Sequence, residues 1–334
     1  MPAQTPGSPS RNSSRKFVWL GLAVVGACVL WTAGWFVLAA QAERHLPETL
    51  ARITGAQATA SCDDPEIRGY PFRFGLFCRS LSYANAAEGL TATAGPLRSA
   101  AQVYNPGHAV AEIDGPLAVQ GPGLAARVDW QLLQASVVAD TTGIARASLD
   151  SRTVYIDLDG AGLSQKLAIE AERLVAHARK NGADLDLALQ ADGLHTLFLG
   201  GLTTKAAVLE ATVAGRADVL DIPYTPVFPP YQAMIHRFSI ALDDSASLEF
   251  TGPVEVGADG LLSGKLDVTL RNPGRLVDLA AQLDPELGAM LGRLAPLMAS
   301  LDSKPGDDGI TLPLSIADNR VSLGIFPLGT LPGF

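Results

Sequence analysis

The sequence predicts a mainly β fold with a few helices (α+β): an N-terminal transmembrane helix followed by an elongated, curved antiparallel sheet. Three observations predict it. Residues 17–40 form an unbroken run without a charged side chain. Beyond it, apolar side chains recur at every second position in segment after segment. Helical spacing of apolar residues is concentrated in one stretch near the C-terminus.

The run from Phe17 to Ala40 spans about 36 Å as a helix, enough to cross a hydrocarbon core of roughly 30 Å. Arg11, Arg15 and Lys16 precede it, and Glu43, Arg44 and His45 follow. The basic excess lies on the N-terminal side, so the positive-inside rule puts the N-terminus in the cytoplasm. Residues 1–16 read as a cytoplasmic tail, 17–40 as a transmembrane helix and 41–334 as a periplasmic β-rich domain. Trp19 suits the membrane–water boundary; Trp31 and Trp35 lie deeper and carry less information. Two rival readings exist. A cleaved signal peptide fits the small residues of Ala40-Gln41-Ala42, but its apolar region is ordinarily about 7–15 residues long. A lipoprotein fits Val25-Gly26-Ala27-Cys28, but the chain stays apolar from Val29 to Ala40. In all three readings residues 43–334 leave the cytoplasm, and the expected location is the bacterial inner membrane with the body in the periplasm.

Cys28 sits inside the apolar run. Cys62 and Cys78 stand 16 positions apart in the exported part. An oxidising compartment favours a disulfide between them, worth roughly 3 kcal/mol in the chain-entropy picture; two buried free thiols are the alternative.

Gln41 to Ile53 continues as a short amphipathic helix, kinked before Pro47 and ended by Gly55. Strand patterns then dominate. Phe72, Phe74, Leu76 and Cys78 alternate with Arg73, Gly75, Phe77 and Arg79. Val154, Ile156 and Leu158 alternate with Tyr155, Asp157 and Asp159. Between Lys166 and Arg179 both periods fit, but the Asn181-Gly182 turn and the clean alternation of Leu185, Leu187 and Leu189 favour strand, turn, strand. Ile222 to Met234, with four prolines and three aromatics, reads as a stiff connector, or as a rim that grips a partner. Leu266, Val268 and Leu270 mark another strand. Leu276 to Leu301 carries leucines at spacings of three and four, and Asp284-Pro285-Glu286 resembles a helix start. Two helices meeting at 282–284 result. Near the C-terminus, Ile310 to Ile316 and Val321 to Ile325 flank Asp318-Asn319 as a hairpin.

Composition narrows function. The net charge is −9 and the pI about 5. After residue 45 the basic residues are scattered, so no stripe exists to displace counterions from phosphates, and nucleic acid is not an expected partner. The five histidines stand without partners at catalytic or metal-ligand spacing. No nucleophile elbow, phosphate loop or His-Glu-x-x-His helix occurs. The acidic pairs Asp63-Asp64, Asp243-Asp244 and Asp307-Asp308 read as solvated turns. No enzyme, cofactor or metal is expected.

Cys62, then Ile67-Arg68-Gly69-Tyr70-Pro71-Phe72-Arg73-Phe74 and Cys78, resembles the N-terminal signature of the bacterial family called domain of unknown function 2125. Tyr104 to His108, Ala111 to Leu117, Trp130 with Ala135-Ser136, and Val321 to Gly329 resemble its later blocks. The resemblance implies a cell-envelope protein, typical of alphaproteobacteria, in an uncharacterised family without an established activity. The architecture is also similar to that of AsmA-like envelope proteins, which implies a link to lipids and weighs little, because a fold does not fix a function. Read from the residues themselves, Gly69 permits a tight entry, Phe72 and Phe74 face one side of the strand, and Arg73 and Arg79 the other. The expected function is that of a membrane-anchored periplasmic protein that binds lipid in envelope homeostasis; the alternative is a structural or assembly partner of other envelope proteins.

Overall fold

The computed structural model describes residues 13–54, 57–140, 143–160, 167–196, 202–221, 230–283, 288–289, 292–293, 309–323 and 326–331. Within them the chain forms one long helix, a second short helix and strands that join a single antiparallel sheet.

Helix α1 runs from Ser13 to Thr54 without a break. It begins inside the segment expected to be a tail. It also absorbs the separate helix expected after residue 41. Pro47 removes one backbone donor, yet the helix continues through it. The two expected helices are therefore one continuous helix with Pro47 inside it; Gly55 lies outside the described residues. From Phe17 to Leu30 every residue of α1 is exposed.

The sheet starts with strands that are each broken once: β1 (Ala58–Asp63) and β2 (Glu66–Arg68), β3 (Arg73–Cys78) and β4 (Ser80–Asn85), β5 (Leu90–Ala94) and β6 (Leu97–Gln102), β7 (Asn105–Ile113) and β8 (Leu117–Gly121), β9 (Leu124–Asp129) and β10 (Leu132–Ala139). Each pair is one passage of chain across the sheet. On one side of the break the hydrogen-bonded order is β2–β3–β6–β7–β10. On the other it is β1–β4–β5–β8–β9. Both series end on β11 (Ile144–Gly160), whose N-terminal part pairs with β10 and whose C-terminal part pairs with β9. The breaks thus line up as one crease. Backbone bonds stitch it, among them Arg79 N to Asp63 O (2.8 Å) and Asp114 N to Pro96 O (2.9 Å). The Trp130 indole donates across it to Ile113 O at 2.7 Å.

From β11 the chain meanders through β12 (Leu167–Asn181), β13 (Asp184–Thr196), β14 (Leu202–Val213), β15 (Tyr231–Ala241), β16 (Ser247–Val256), β17 (Leu262–Arg271), β18 (Gly309–Ala317), β19 (Arg320–Leu323) and β20 (Phe326–Thr330), each pairing with the next. Each strand lies beside its neighbour in sequence, as in a meander, although α2 stands in the longer connection between β17 and β18. Asp318 and Asn319 both take positive φ (50° and 64°) in the β18–β19 turn, the geometry that two-residue hairpins need. Tyr231 to Met234, expected within a connector, opens the central strand β15; residues 222–229 lie outside the described residues. Helix α2 (Pro273–Leu283) is the first of the two expected helices, with Leu276 buried and Arg275 paired to Asp243. The second expected helix, and Asp307-Asp308, fall mostly or wholly outside the described residues.

The crease continues as a kink through β11–β14. Ser151 and Val154 are both buried, while Arg152 and Thr153 between them are exposed. Likewise Ala171 is buried and Leu174 half-buried around exposed Glu172 and Arg173. Inward residues thus stand three apart at the kink and two apart elsewhere. Thr153 takes a φ of 51° and Gly193 one of 58°. A Cβ at Gly193 would meet the exposed Glu172 side chain at 2.5 Å and push it aside, and the positive φ there is one that glycine adopts without strain. This phase step is why residues 166–179 match both a helix and a strand: Leu167, Ile169 and Ala171 belong to one phase, Leu174, Ala176 and Ala178 to the next.

With the step included, one face is apolar throughout. Leu149, Ala176, Leu189, Leu209, Phe238, Phe250, Val268 and Leu312 stand opposite one another across eight strands. Toward the C-terminal strands this face closes: Leu266, Val268, Leu312 and Ile316 are buried. In the middle it does not, and Leu189 is 41% exposed. The chain exposes 20983 Å², against about 13,000 Å² for a compact globule of its mass. A single layer with few fully buried side chains accounts for much of that excess.

Candidate functional site

The segment Gly69–Phe74 is where the sheet meets the helix. Gly69 has a φ of 118°, and its carbonyl accepts a bond from Arg73 N at 2.9 Å, which tightens the loop before β3. A side chain at Gly69 would collide with the Arg73 backbone. The loop so formed faces α1. The Trp31 indole donates to Pro71 O and the Trp35 indole to Arg73 O, both at 3.1 Å. Thr32 Oγ1 lies 2.7 Å from the Tyr70 hydroxyl and 2.8 Å from Cys28 O. Since Thr32 has one proton and Cys28 O can only accept, the Tyr70 hydroxyl donates. Trp35 stacks on Phe74 with centroids 5.1 Å apart, and Phe36 stacks on Tyr70 at 5.6 Å. About two turns further on, Glu43 accepts a bond from Ile67 N at 2.7 Å.

Trp31, Trp35, Ala39 and Glu43 are each four apart and share one helix face. Trp35 and Ala39 are 5% exposed, the most buried residues of α1. This stripe went unused in the sequence, where both tryptophans looked like ordinary residues of an apolar span. Its spacing within an otherwise lipid-suited run was the available signal. Phe72 departs from expectation. It lies in the loop ahead of β3 and is 63% exposed, while Phe74 alone of the two packs inward. Arg73 is exposed, as expected. Arg79 bonds Asp64 at 2.5 Å and lies 3.6 Å from Asp63, so this acidic pair serves the crease.

Cys62 on β1 and Cys78 at the end of β3 form a disulfide with Cα atoms 5.3 Å apart. It joins the two sides of the crease next to the helix: β1 belongs to one series of strands and β3 to the other. Cys28 is free and exposed on α1.

The other face carries a hollow of about 660 Å³ beside the crease, lined among others by Phe77, Arg98, Val110, Glu112, Gln134, Asp150, Arg173 and His177. Its charges are matched internally. Arg98 makes two bonds to Asp114 (2.7 and 2.8 Å) and Arg173 two to Asp150 (3.0 and 2.6 Å). Gln134 donates to Glu112 at 2.8 Å, and His177 meets Ser148 at 2.9 Å. The guanidinium bonds hold Asp114 and Asp150 below the usual carboxylate range and raise Arg98 and Arg173 in turn. A charged ligand would have to displace these partners, while Phe77, Val110 and Val175 make much of the remaining lining apolar. No group of three or more metal-ligating side chains occurs among the described residues.

Among the described residues, one long apolar helix compatible with a membrane anchor, pinned by an aromatic loop to a one-layer antiparallel sheet, defines the class of protein. The chain belongs to the family described as uncharacterized protein conserved in bacteria (DUF2125), whose model matches residues 35–332. That match begins at Trp35, the centre of the helix–sheet contact. No curated protein and no solved structure matches the chain. The resemblance to AsmA-like envelope proteins therefore has no support from these comparisons.

Proposed function

We propose that this protein is anchored by α1 in the bacterial inner membrane and holds acyl lipid on the apolar face of its periplasmic sheet. The observation that carries the reading is the row from Leu149 to Leu312. It is apolar across eight strands, half-open in its middle, and continuous with a sheet that is pinned to the anchor. Small aliphatic side chains suit lipid tails, which need exclusion from water and little polar recognition. The matched charges of the opposite face fit its exposure to water. In this reading the protein is a carrier or scaffold and not a catalyst.

Gentle purification of the full chain, followed by lipid extraction and mass spectrometry, tests it. Bound phospholipid is expected, and it should drop sharply in Leu189→Arg, whose side chain is already the most exposed of the row. Protein that carries no lipid in either form would sink the reading. A reporter active only outside the cytoplasm, fused after residue 60, tests the topology; an inactive fusion would place the body on the wrong side.

A further inference from the structure

We infer that the Tyr70–Arg73 loop and the neighbouring Tyr104 turn are embedded in the leaflet that α1 traverses, as a second membrane contact of this protein. The inference rests on α1 being a membrane span, and it stands apart from any lipid cargo on the sheet.

The argument begins with length. The apolar run of α1 extends from Phe17 to Ala40, but from Trp31 onward the helix is held by the sheet. Only residues 17–30 stand clear of it. Fourteen residues of helix cover about 21 Å, well short of a hydrocarbon core of roughly 30 Å. A span counted from Phe17 reaches that thickness only near Phe36, the residue that stacks on Tyr70. The groups bonded to Trp31 and Thr32 then lie below the level where the core ends. Those groups are Pro71 and Tyr70.

Exposure points the same way. Tyr70 is 47% exposed, Phe72 63% and Tyr104 76%. Val103 N donates to Phe72 O at 3.0 Å, so the two turns are stitched together. Exposed aromatic rings with a polar handle favour the membrane boundary, and a bare phenylalanine favours the acyl region beneath it. Arg73, exposed next to them, has a stem long enough to return its charge to the head groups. The rest of α1 fits this placement. Its C-terminal turns run along the edge strands, with Glu43 at Ile67 and Thr54 bonded to Ala58 O at 3.1 Å. The strands therefore rise from the membrane beside the helix. The β4–β5 turn at Glu88 lies at their far end.

Single cysteines test this in the full chain carrying Cys28→Ser, reconstituted in phosphatidylcholine–phosphatidylglycerol vesicles. Val24→Cys, Phe72→Cys, Tyr104→Cys and Glu88→Cys are each labelled with an environment-sensitive fluorophore, with and without lipid brominated on its acyl chains. All four side chains are exposed, so the fold tolerates the changes. Labels at 24, 72 and 104 are expected to lose most of their emission to brominated lipid, and the label at 88 to keep it. Quenching at 24 without quenching at 72 and 104 would overturn the inference and leave the span standing. Failure at 24 would remove the span itself, and the inference with it.

Discussion

At the residue scale, the most informative contacts are those of Trp35. One indole does three things: its ring lies flat on Phe74, its edge meets Tyr70, and its N–H satisfies Arg73 O. Losing it leaves a cavity and an orphaned carbonyl together. Trp35→Ala should therefore loosen the helix from the sheet by roughly 3 kcal/mol. Faster proteolysis of the β2–β3 region in proteoliposomes, with an unchanged span, would show it. Wild-type resistance in that variant would mean the ring does not pin the sheet. The disulfide acts next door. Replacing Cys62 and Cys78 by serine should lower unfolding stability by roughly 2–4 kcal/mol, read from urea midpoints. The motif residues Gly69 to Phe74 were legible as an unusual cluster. Their division of labour was not, because it depends on a helix some forty positions away in the chain.

At the scale of elements, the crease and its kink decide which side of the sheet is apolar. A strand with strict alternation would flip its faces wherever two exposed residues adjoin; the step at Thr153, Glu172 and Gly193 prevents that. Gly193→Val places a branched side chain at positive φ against Glu172, and a loss of more than about 1 kcal/mol is expected. An unchanged melting temperature would show that the kink has other ways to form. Electrostatics belongs to this scale too, because Arg98–Asp114 and Arg173–Asp150 are cross-strand or crease pairs. Their carboxylates are held below the usual range by the arginine bonds. Asp243 is depressed further, by the Ser245 backbone N–H first and then by Arg275. The contribution of such groups is present in full above the unfolded carboxylate pKa of roughly 4, and is lost as pH falls through the lower folded values. Melting temperature should stay level from neutral pH to about pH 5 and fall in stronger acid. Asp150→Asn should flatten part of that fall; an identical acid profile would show that the pair contributes nothing. Much of this was visible in outline, since the strands at 154–158, 185–189, 266–270 and 310–316 were marked by their alternation. The crease was not, because Gly95-Pro96 and Asp114-Gly115-Pro116 look like ordinary hairpin turns until their hydrogen-bond partners are known.

At the scale of the whole molecule, the sheet is built almost entirely from local hairpins, so its assembly needs few long loop closures. That economy leaves a single layer, and a single layer cannot bury both of its faces. The open middle of the apolar face follows directly. The sequence by itself determined the long apolar helix and the strand-rich body, because both rest on local pattern: an uncharged run long enough for a membrane, and side chains alternating along an extended backbone. It also marked Cys62 and Cys78 as a pair. Only the tertiary structure decided that the helix runs unbroken into the body, that Trp31 and Trp35 are its grip on the sheet, and that a line of kinks keeps one face apolar. Those features arise from contacts between segments far apart in the chain, and neither local periodicity nor composition records which distant partner a side chain will find.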